Sequence, residues 1–220
     1  MTPAVIVLAK APAAGRSKTR LCPPLAPAEA AELAAAALHD TLEAAGKVTD
    51  ARVLLVLEGP AGPWLPSGFR GEIVRQRAGG LGDRLAGAFV TARGPALAVG
   101  MDTPQLTAEL LDRGLQTLAS PGVDAVLGPS ADGGYWAIGL RRADARAFAG
   151  VPMSTRRTGS AQRARLRKLG LRVAELGRLQ DVDTIEDAHE VAASVPGTRF
   201  AALLRSLPVA GRAAAEAGAG

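Results

Sequence analysis

The chain has 220 residues, of which 48% are hydrophobic, and this length suits a single domain with a substantial core. A net charge of +5 favours an anionic ligand, but aromatic residues make up only 3% and no helix-turn-helix or zinc-finger pattern occurs, so we expect no nucleic-acid partner. The single cysteine, Cys22, excludes an internal disulfide and a cysteine-rich zinc site. The N-terminus lacks the basic residues followed by a long apolar stretch that a signal peptide has, and no apolar run reaches the length of about 18 residues that a membrane span needs. The sequence therefore predicts a cytoplasmic protein with no membrane partner. It leaves the oligomeric state open.

Apolar runs and helical patterns alternate along the chain. Continuous apolar runs predict buried strands, and apolar residues at steps of three and four predict helices. The predicted strands are 4–9, 52–58, 72–76, 96–101, 123–128, 135–140 and 171–176. The predicted helices are 27–45 (with Gly46 placed to end it), one from about 81, 108–118, 161–169, and two more from 184 and 198.

This alternation predicts an α/β domain built on a mainly parallel sheet. We assign residues 1–208 to one domain and the low-complexity end, 209–220, to a flexible tail. In such sheets ligands bind at the carboxyl ends of the strands. The segments that contain Lys10, Asp102 and Asp132 each follow a predicted strand, and this shared placement is the reason to interpret them as one site.

The first loop, within "LAKAPAAGRSKTRL", is rich in positive charge. It contains no acid and four bases: Lys10, Arg16, Lys18 and Arg20. It is neither a Walker A motif nor a G-x-G-x-x-G motif, because Gly15 is its only glycine. Flexible backbone with Lys and Arg after a buried strand is nevertheless suited to binding phosphate oxygens. The alternative is a basic loop that faces only water.

Carboxylates in two other segments are candidate metal ligands. Asp102 in "GMDTPQL" follows a buried strand, where it could hold Mg²⁺ or Mn²⁺, hard cations that bind phosphates together with one or two carboxylates. Its alternative role is to cap the next helix, although Thr107 is better placed for that.

The segment "LQDVDTIEDA" offers Asp181 and Asp183 just before a helix. Thr184 and Asp187 fit a capping box, which explains those two residues structurally. Asp183 is therefore the candidate second metal ligand.

Three further segments allow both a functional and a structural interpretation. Asp132 in "PSADGGYW" belongs either to a ligand site or to an ordinary hairpin turn. "GGLGDRL" either starts a helix or fits its backbone against a planar base. The acid-free basic run 156–168 forms either a solvated helix face or a contact with a second anionic substrate.

The ordered motifs "VIVLAKAPAAGRSKTRL", "GLGDRLAGAF", "GMDTPQL", "GPSADGGYWAIGL", "MST" and "LQDVDTIEDA" resemble the DUF2064 family over residues 4 to about 190. Members of this family are commonly labelled glycosyltransferase-A-fold enzymes, and some are linked to arsenosugar biosynthesis. The segment 16–21 is also similar to 2-phospholactate guanylyltransferases. The two aspartate segments are similar to the metal-binding segments of molybdenum cofactor guanylyltransferases and sugar-phosphate nucleotidyltransferases.

The resemblance implies a single-domain glycosyltransferase-A-like α/β/α sandwich that holds a nucleotide beside the first strand. It implies a nucleotide-binding set made up of Leu8, Ala9, Lys10, Gly15, Arg16, Lys18, Arg20, Gly80, Gly82, Asp83 and Arg84. It also implies a Mg²⁺ (or Mn²⁺) pair, Asp102 and Asp183. One departure is that the "GxG" of the nucleotidyltransferase loop is here Ala-Pro-Ala-Ala-Gly.

Three functions remain open at this stage. A nucleotidyltransferase would join a nucleoside monophosphate from an NTP to a small anionic acceptor, with Lys18 and Arg20 in closest contact with the phosphates. A glycosyltransferase would use a nucleotide sugar, with Asp132 available as the base. A non-catalytic nucleotide-binding module would need neither Asp102 nor Asp183 for turnover.

Overall fold

The computed structural model describes residues 1–208, so the predicted tail at 209–220 lies outside the described residues. The strands are β1 (Ala4–Lys10), β2 (Arg52–Glu58), β3 (Glu72–Arg75), β4 (Ala96–Val99), β5 (Ala125–Pro129), β6 (Tyr135–Leu140) and β7 (Val173–Glu175). The helices are α1 (Pro27–Gly46), α2 (Leu81–Ala92), α3 (Ala108–Ala119), α4 (Thr158–Lys168), α5 (Ile185–Ser194) and α6 (Arg199–Ser206). Short 3-10 turns occur at Thr19–Leu21 and Ala145–Ala147.

All seven strands form one sheet in the order β3-β2-β1-β4-β6-β5-β7. β6 pairs antiparallel with both of its neighbours, and the remaining pairs are parallel. The predicted single α/β domain with a mainly parallel mixed sheet is therefore confirmed. Because β1, β4, β5 and β7 run in the same direction, the segments that follow them meet at one edge of the sheet.

Helices cover both faces of the sheet. Along β1, Val5 and Val7 point to one side and pack with α1 and α3, whereas Ala4 and Ile6 point to the other side and pack with α2 and α4. This alternation follows from the two-residue repeat of a strand, and burial on both faces explains the continuous apolar run. The result is a three-layer α/β/α sandwich.

A third apolar cluster lies outside the sheet. The second face of α1 contributes Leu33 and Ala37, which pack with Phe200 and Leu204 of α6 and with apolar residues of α5.

In the described part of the chain, no helix combines the length and the apolar character needed to cross a membrane.

Element boundaries differ from the prediction by up to three residues. β4 ends at Val99, two residues earlier than predicted, and β5 and β7 each begin two residues later. The largest difference is at α4, which begins at Thr158, three residues earlier than predicted. In the first turn of α4, the N–H of Gly159 donates to the carbonyl of Gly133 at 2.9 Å. The local sequence could not predict this hydrogen bond, because Gly133 and Gly159 lie far apart in the chain.

Candidate active site

Two adjoining cavities open at the carboxyl edge of the sheet. The larger is a cleft of about 1030 Å³, and the smaller has a volume of about 230 Å³. Arg20, Asp102 and Asp183 line both cavities. The two spaces therefore form one connected candidate site.

All four bases of the first loop line the smaller cavity: Lys10, Arg16, Lys18 and Arg20. The loop turns at Gly15, whose φ of +72° lies in the left-handed region that glycine adopts without strain. The structure thus brings the predicted phosphate-binding loop and the predicted metal pair, Asp102 and Asp183, around one space.

Lys18 and Arg20 differ sharply within this loop. The Lys18 side chain is only 8% exposed; its ammonium lies 2.7 Å from Oδ1 of Asp102 and also donates to the carbonyl of Val182. The Arg20 side chain is 74% exposed, and its guanidinium lies 3.1 Å from Oδ2 of Asp183. Lys18 is therefore an internal link between three loops, whereas Arg20 is accessible to a ligand.

Carboxylates outnumber cations around the larger cleft. Its acidic lining residues are Asp102, Asp132, Asp181, Asp183 and Asp187, and its basic ones are Arg20 and Arg156. Asp187 also caps α5 together with Thr184, as the sequence predicted. An anionic ligand in this cleft would be repelled unless a cation reduced the negative charge.

Asp181 is the residue of this cleft that the sequence analysis set aside in favour of Asp183. Burial, with a further contribution from the negative charges of Asp132 and Asp102, raises the pKa of Asp181 to about 6, although Thr103 donates a hydrogen bond to its carboxylate at 3.0 Å. Val182, between the two aspartates, is fully buried, whereas Asp181 and Asp183 both line the cleft. In the sequence, the two aspartates of "DVD" stand two positions apart, and this spacing could have indicated that Asp181 belongs to the site together with Asp183.

Asp132 lies in the turn between β5 and β6 and faces the larger cleft. Its carboxylate accepts hydrogen bonds from the N–H of Gly134 at 2.8 Å and from the hydroxyl of Ser130. Gly133, with φ of +91°, makes the turn possible. Asp132 thus shapes a tight turn and is also exposed at the larger cleft, so a ligand-binding role stays a prediction.

The segment from Gly80 to Arg84 begins α2 beside the ends of β1 and β2. Asp83 accepts the N–H of Gly80 at 3.0 Å and caps the helix. Arg84 contacts Glu58 at 2.6 Å, and Lys10 lies 3.7 Å from the same carboxylate. Glu58 therefore joins the Gly80–Arg84 segment to the basic loop.

The other predicted nucleotide contacts lie around this junction. Leu8 packs, half-buried, with the core under α2, and Gly82 lies beside Phe148 and Met153. Ala9 is buried, and its carbonyl accepts a hydrogen bond from Gln76 at 2.6 Å. The carbonyl of Ala9 therefore already has a partner inside the protein.

The basic run 156–168 divides into two parts. Arg156 lines the larger cleft. In α4, Arg163 lies 2.8 Å from Glu175, and Arg165 donates to the carbonyl of Arg146 at 2.7 Å. The cations of the helical part therefore contact their own surroundings, and Arg156 is the cation of this run that lines the candidate site.

The oxygen donors of the site fit a magnesium-type cation. Among the described residues, no three His, Cys, Asp or Glu side chains form a ready-made cage for a metal. Mg²⁺, however, typically binds one or two carboxylates together with substrate phosphates and water. Asp102, with half of its side chain exposed, and Asp183 meet that requirement at the mouth of the phosphate-sized cavity.

Comparison with known proteins first defines the fold class. The chain is similar to a candidate nucleotide-diphospho-sugar transferase from Desulfovibrio desulfuricans G20, with 25% identity, a TM-score of 0.82, and coverage of 93% of this chain and 94% of that one. It shares its fold with CMP:2-keto-3-deoxy-manno-octonic acid synthetase complexed with CTP (14% identity, TM-score 0.61, coverage 89% and 99%). It also shares the fold of 2-C-methyl-D-erythritol 4-phosphate cytidylyltransferase from Thermus thermophilus (19% identity, TM-score 0.51, coverage 88% and 98%). The fold is thus one used by nucleotide-dependent transferases.

A match to a family model assigns the chain more specifically than the shared fold does. The model of a family described as "Uncharacterized protein conserved in bacteria (DUF2064)" matches residues 41–155, more than half of the chain. The protein therefore belongs to the DUF2064 family, as the motifs indicated. No curated protein matches the chain.

Proposed function

We propose that this protein is a metal-dependent nucleotidyltransferase that transfers a nucleoside monophosphate from an NTP to a small acceptor bearing a phosphate or phosphonate. An acceptor oxygen would attack the α-phosphorus, the bond from that phosphorus to the bridging oxygen would break, and pyrophosphate would leave. The observation that carries the proposal is the smaller cavity, where four cations of one loop and two carboxylates surround a single space.

The residues of the chain would contribute mainly charge and position, as phosphoryl transfer requires. Arg20, Arg16 and Lys10 would bind phosphate oxygens, because their side chains reach the cavity and Arg20 is largely exposed. Lys18 would hold Asp102 in place through its 2.7 Å ion pair. Asp102 and Asp183 would hold Mg²⁺ or Mn²⁺, which when bound supplies positive charge against the phosphates and the leaving pyrophosphate.

A glycosyltransferase that uses a nucleotide sugar is the second candidate. It is favoured by the similarity to the candidate nucleotide-diphospho-sugar transferase, a likeness that extends over nearly the whole of both chains. Asp132, accessible at the larger cleft, would then act as the base toward the acceptor hydroxyl.

The test supplies ATP, CTP, GTP or UTP with MgCl₂ and a panel of phosphorylated and phosphonate acceptors, and measures pyrophosphate release. Nucleotide sugars are screened in parallel by thermal shift. We expect turnover with one NTP, loss of that turnover in Asp102→Asn, and little change in Asp112→Asn, a control on α3 outside the cleft. Strong stabilisation by a nucleotide sugar with no effect of any NTP would instead select the glycosyltransferase.

A further inference from the structure

Arg156 combines access to the candidate site with the lack of a partner inside the protein. It lines the larger cleft, and among residues 1–208 its side chain takes part in no hydrogen bond or ion pair. The other cation that lines the cleft, Arg20, pairs with Asp183 and also lines the smaller cavity. Arg157, next in the chain, is exposed but does not line the cleft.

The segment that carries Arg156 is held in a defined shape. Thr158 is buried; its hydroxyl donates to the carbonyl of Pro152 at 2.8 Å and accepts the N–H of Thr155 at 2.9 Å. Ser154 has a φ of +58°, an uncommon value for a residue with a side chain. These features make 152–159 an ordered lip on the cleft.

This lip rests directly on the turn that contains Asp132. The carbonyl of Arg156 comes so close to Gly133 that a Cβ atom at that position would clash with it. The N–H of Gly159 donates to the carbonyl of Gly133 at 2.9 Å. Only glycine permits this contact, so the backbone of Arg156 is fixed beside the Asp132 turn.

The charges of the connected cavities follow an order. The basic loop lines the smaller cavity, Arg20, Asp102 and Asp183 line both cavities, and Asp132 and Arg156 line only the larger cleft. Each cavity thus has a cation of its own in addition to the shared residues. A ligand set that matches this pattern has an anionic group at each end.

We propose that Arg156 binds the phosphate or phosphonate group of the acceptor and so determines acceptor specificity. A guanidinium offers two parallel N–H donors to a tetrahedral oxyanion, which fits this group better than a neutral hydroxyl. The inference rests on the proposed function, because the smaller cavity is then taken by the nucleotide. It assigns the acceptor to the larger cleft and separates Arg156 from the rest of the basic run.

The test compares wild type with Arg156→Gln, Arg156→Lys and the matched control Arg157→Gln. Glycerol 3-phosphate, neutral glycerol and each NTP are titrated separately into each protein by calorimetry, always in the presence of MgCl₂. We expect Arg156→Gln to weaken glycerol 3-phosphate binding about tenfold or more, since one charged hydrogen-bonding partner is lost. Arg156→Lys should lose less, Arg157→Gln should match wild type, and NTP affinity should stay within about twofold in all variants.

Three results would overturn the inference: equal losses in Arg156→Gln and Arg157→Gln, an equal loss of NTP affinity in Arg156→Gln, or wild type that binds glycerol 3-phosphate no better than glycerol. The proposed function is tested separately by pyrophosphate release. Turnover whose acceptor KM is unchanged in Arg156→Gln rejects only the role of Arg156. Arg156-dependent binding of glycerol 3-phosphate without turnover of any NTP rejects only the nucleotidyl transfer.

Discussion

Lys18 and Arg20 stand two positions apart in the chain and carry the same charge, yet their surroundings assign them different tasks. Lys18 is buried against Asp102 and the carbonyl of Val182, so its removal leaves polar groups without their partner. Arg20 is exposed beside Asp183, and such surface pairs contribute little to stability. The sequence treated both as phosphate ligands, and the structure supports that role most directly for Arg20.

This contrast predicts opposite phenotypes. Lys18→Met should lower the unfolding free energy by about 1–3 kcal/mol, the cost of leaving a hydrogen-bonded group unpaired. Arg20→Ala should change it by less than about 0.5 kcal/mol but weaken triphosphate binding about ten- to a hundredfold. Urea unfolding measures the first quantity, and calorimetric titration with NTP, NDP and nucleoside measures the second.

For Arg20→Ala, the bare nucleoside should bind almost as it does to wild type. Equal losses for all three ligands would mean that the loop only shapes the cavity. Equal stability losses in both variants would contradict the distinction between the two cations.

At the scale of elements, one buried carboxylate joins α1 to α6. Asp40 of α1 accepts the N–H groups of Arg199 and Phe200 at 3.1 and 2.8 Å, which satisfies donors at the start of α6. Burial raises the pKa of Asp40 above its ordinary value of 3.8, and the two N–H groups only partly offset this effect. The connection between the helices therefore depends on pH.

The direction of this dependence follows from linkage. Because the native pKa is raised, the folded protein keeps the Asp40 proton at pH values where the unfolded chain has lost it. The contribution of Asp40 to the unfolding free energy therefore decreases as the pH rises from 3.8 through the raised native pKa, and it is constant above that. Asp40→Asn cannot titrate, so the stability of wild type relative to the variant should fall across this window in urea unfolding. A pH-independent difference would contradict the raised pKa.

Helix α4 provides a second test at this scale. Arg163 and Arg165 are engaged by Glu175 and by the carbonyl of Arg146, away from the cleft. Replacing Arg163, Arg165 and Arg167 together with Gln should therefore leave kcat and KM nearly unchanged and lower the unfolding free energy by about 1 kcal/mol or less. A large rise in acceptor KM in this triple variant would assign α4 to the second substrate.

At the scale of the whole molecule, the residues that stabilise the fold differ from the residues proposed to bind ligands. Three apolar clusters hold the layers together, and among the described residues no cluster suited to a structural metal contributes. The proposed nucleotide and acceptor, in contrast, would have to overcome the repulsion of Asp102 and Asp183, which line both cavities, and of the other carboxylates of the larger cleft. Removing the metal should therefore weaken ligand binding without lowering the stability of the free protein.

Thermal unfolding with and without EDTA tests this separation. EDTA should leave the Tm of the free protein unchanged and abolish most of the rise in Tm that the bound NTP produces with MgCl₂. A drop in the Tm of the free protein on addition of EDTA would reveal a structural metal. An NTP-induced rise that persists in EDTA would show that the basic loop alone neutralises the phosphates.

The sequence by itself determined the strands, most helices and the family, because burial on both faces demands continuous apolar runs and helical packing demands regular apolar steps. It also placed Lys10, Asp102 and Asp132 at the ends of predicted strands, since the order of elements in a parallel sheet brings those ends together. Local patterns sufficed here because each depends on residues close in the chain.

Only the tertiary structure determined which charged side chains have a partner inside the protein and which are exposed to a ligand. Three features involve segments far apart in sequence: the pairing of Lys18 with Asp102, the approach of Asp181 to Asp102 and Asp132, and the position of Arg156 at the cleft. Residue type indicates that a side chain is charged, but its partner and its exposure depend on how distant loops pack against each other. That packing distinguishes a structural cation such as Lys18 from one, such as Arg156, that is available to a substrate.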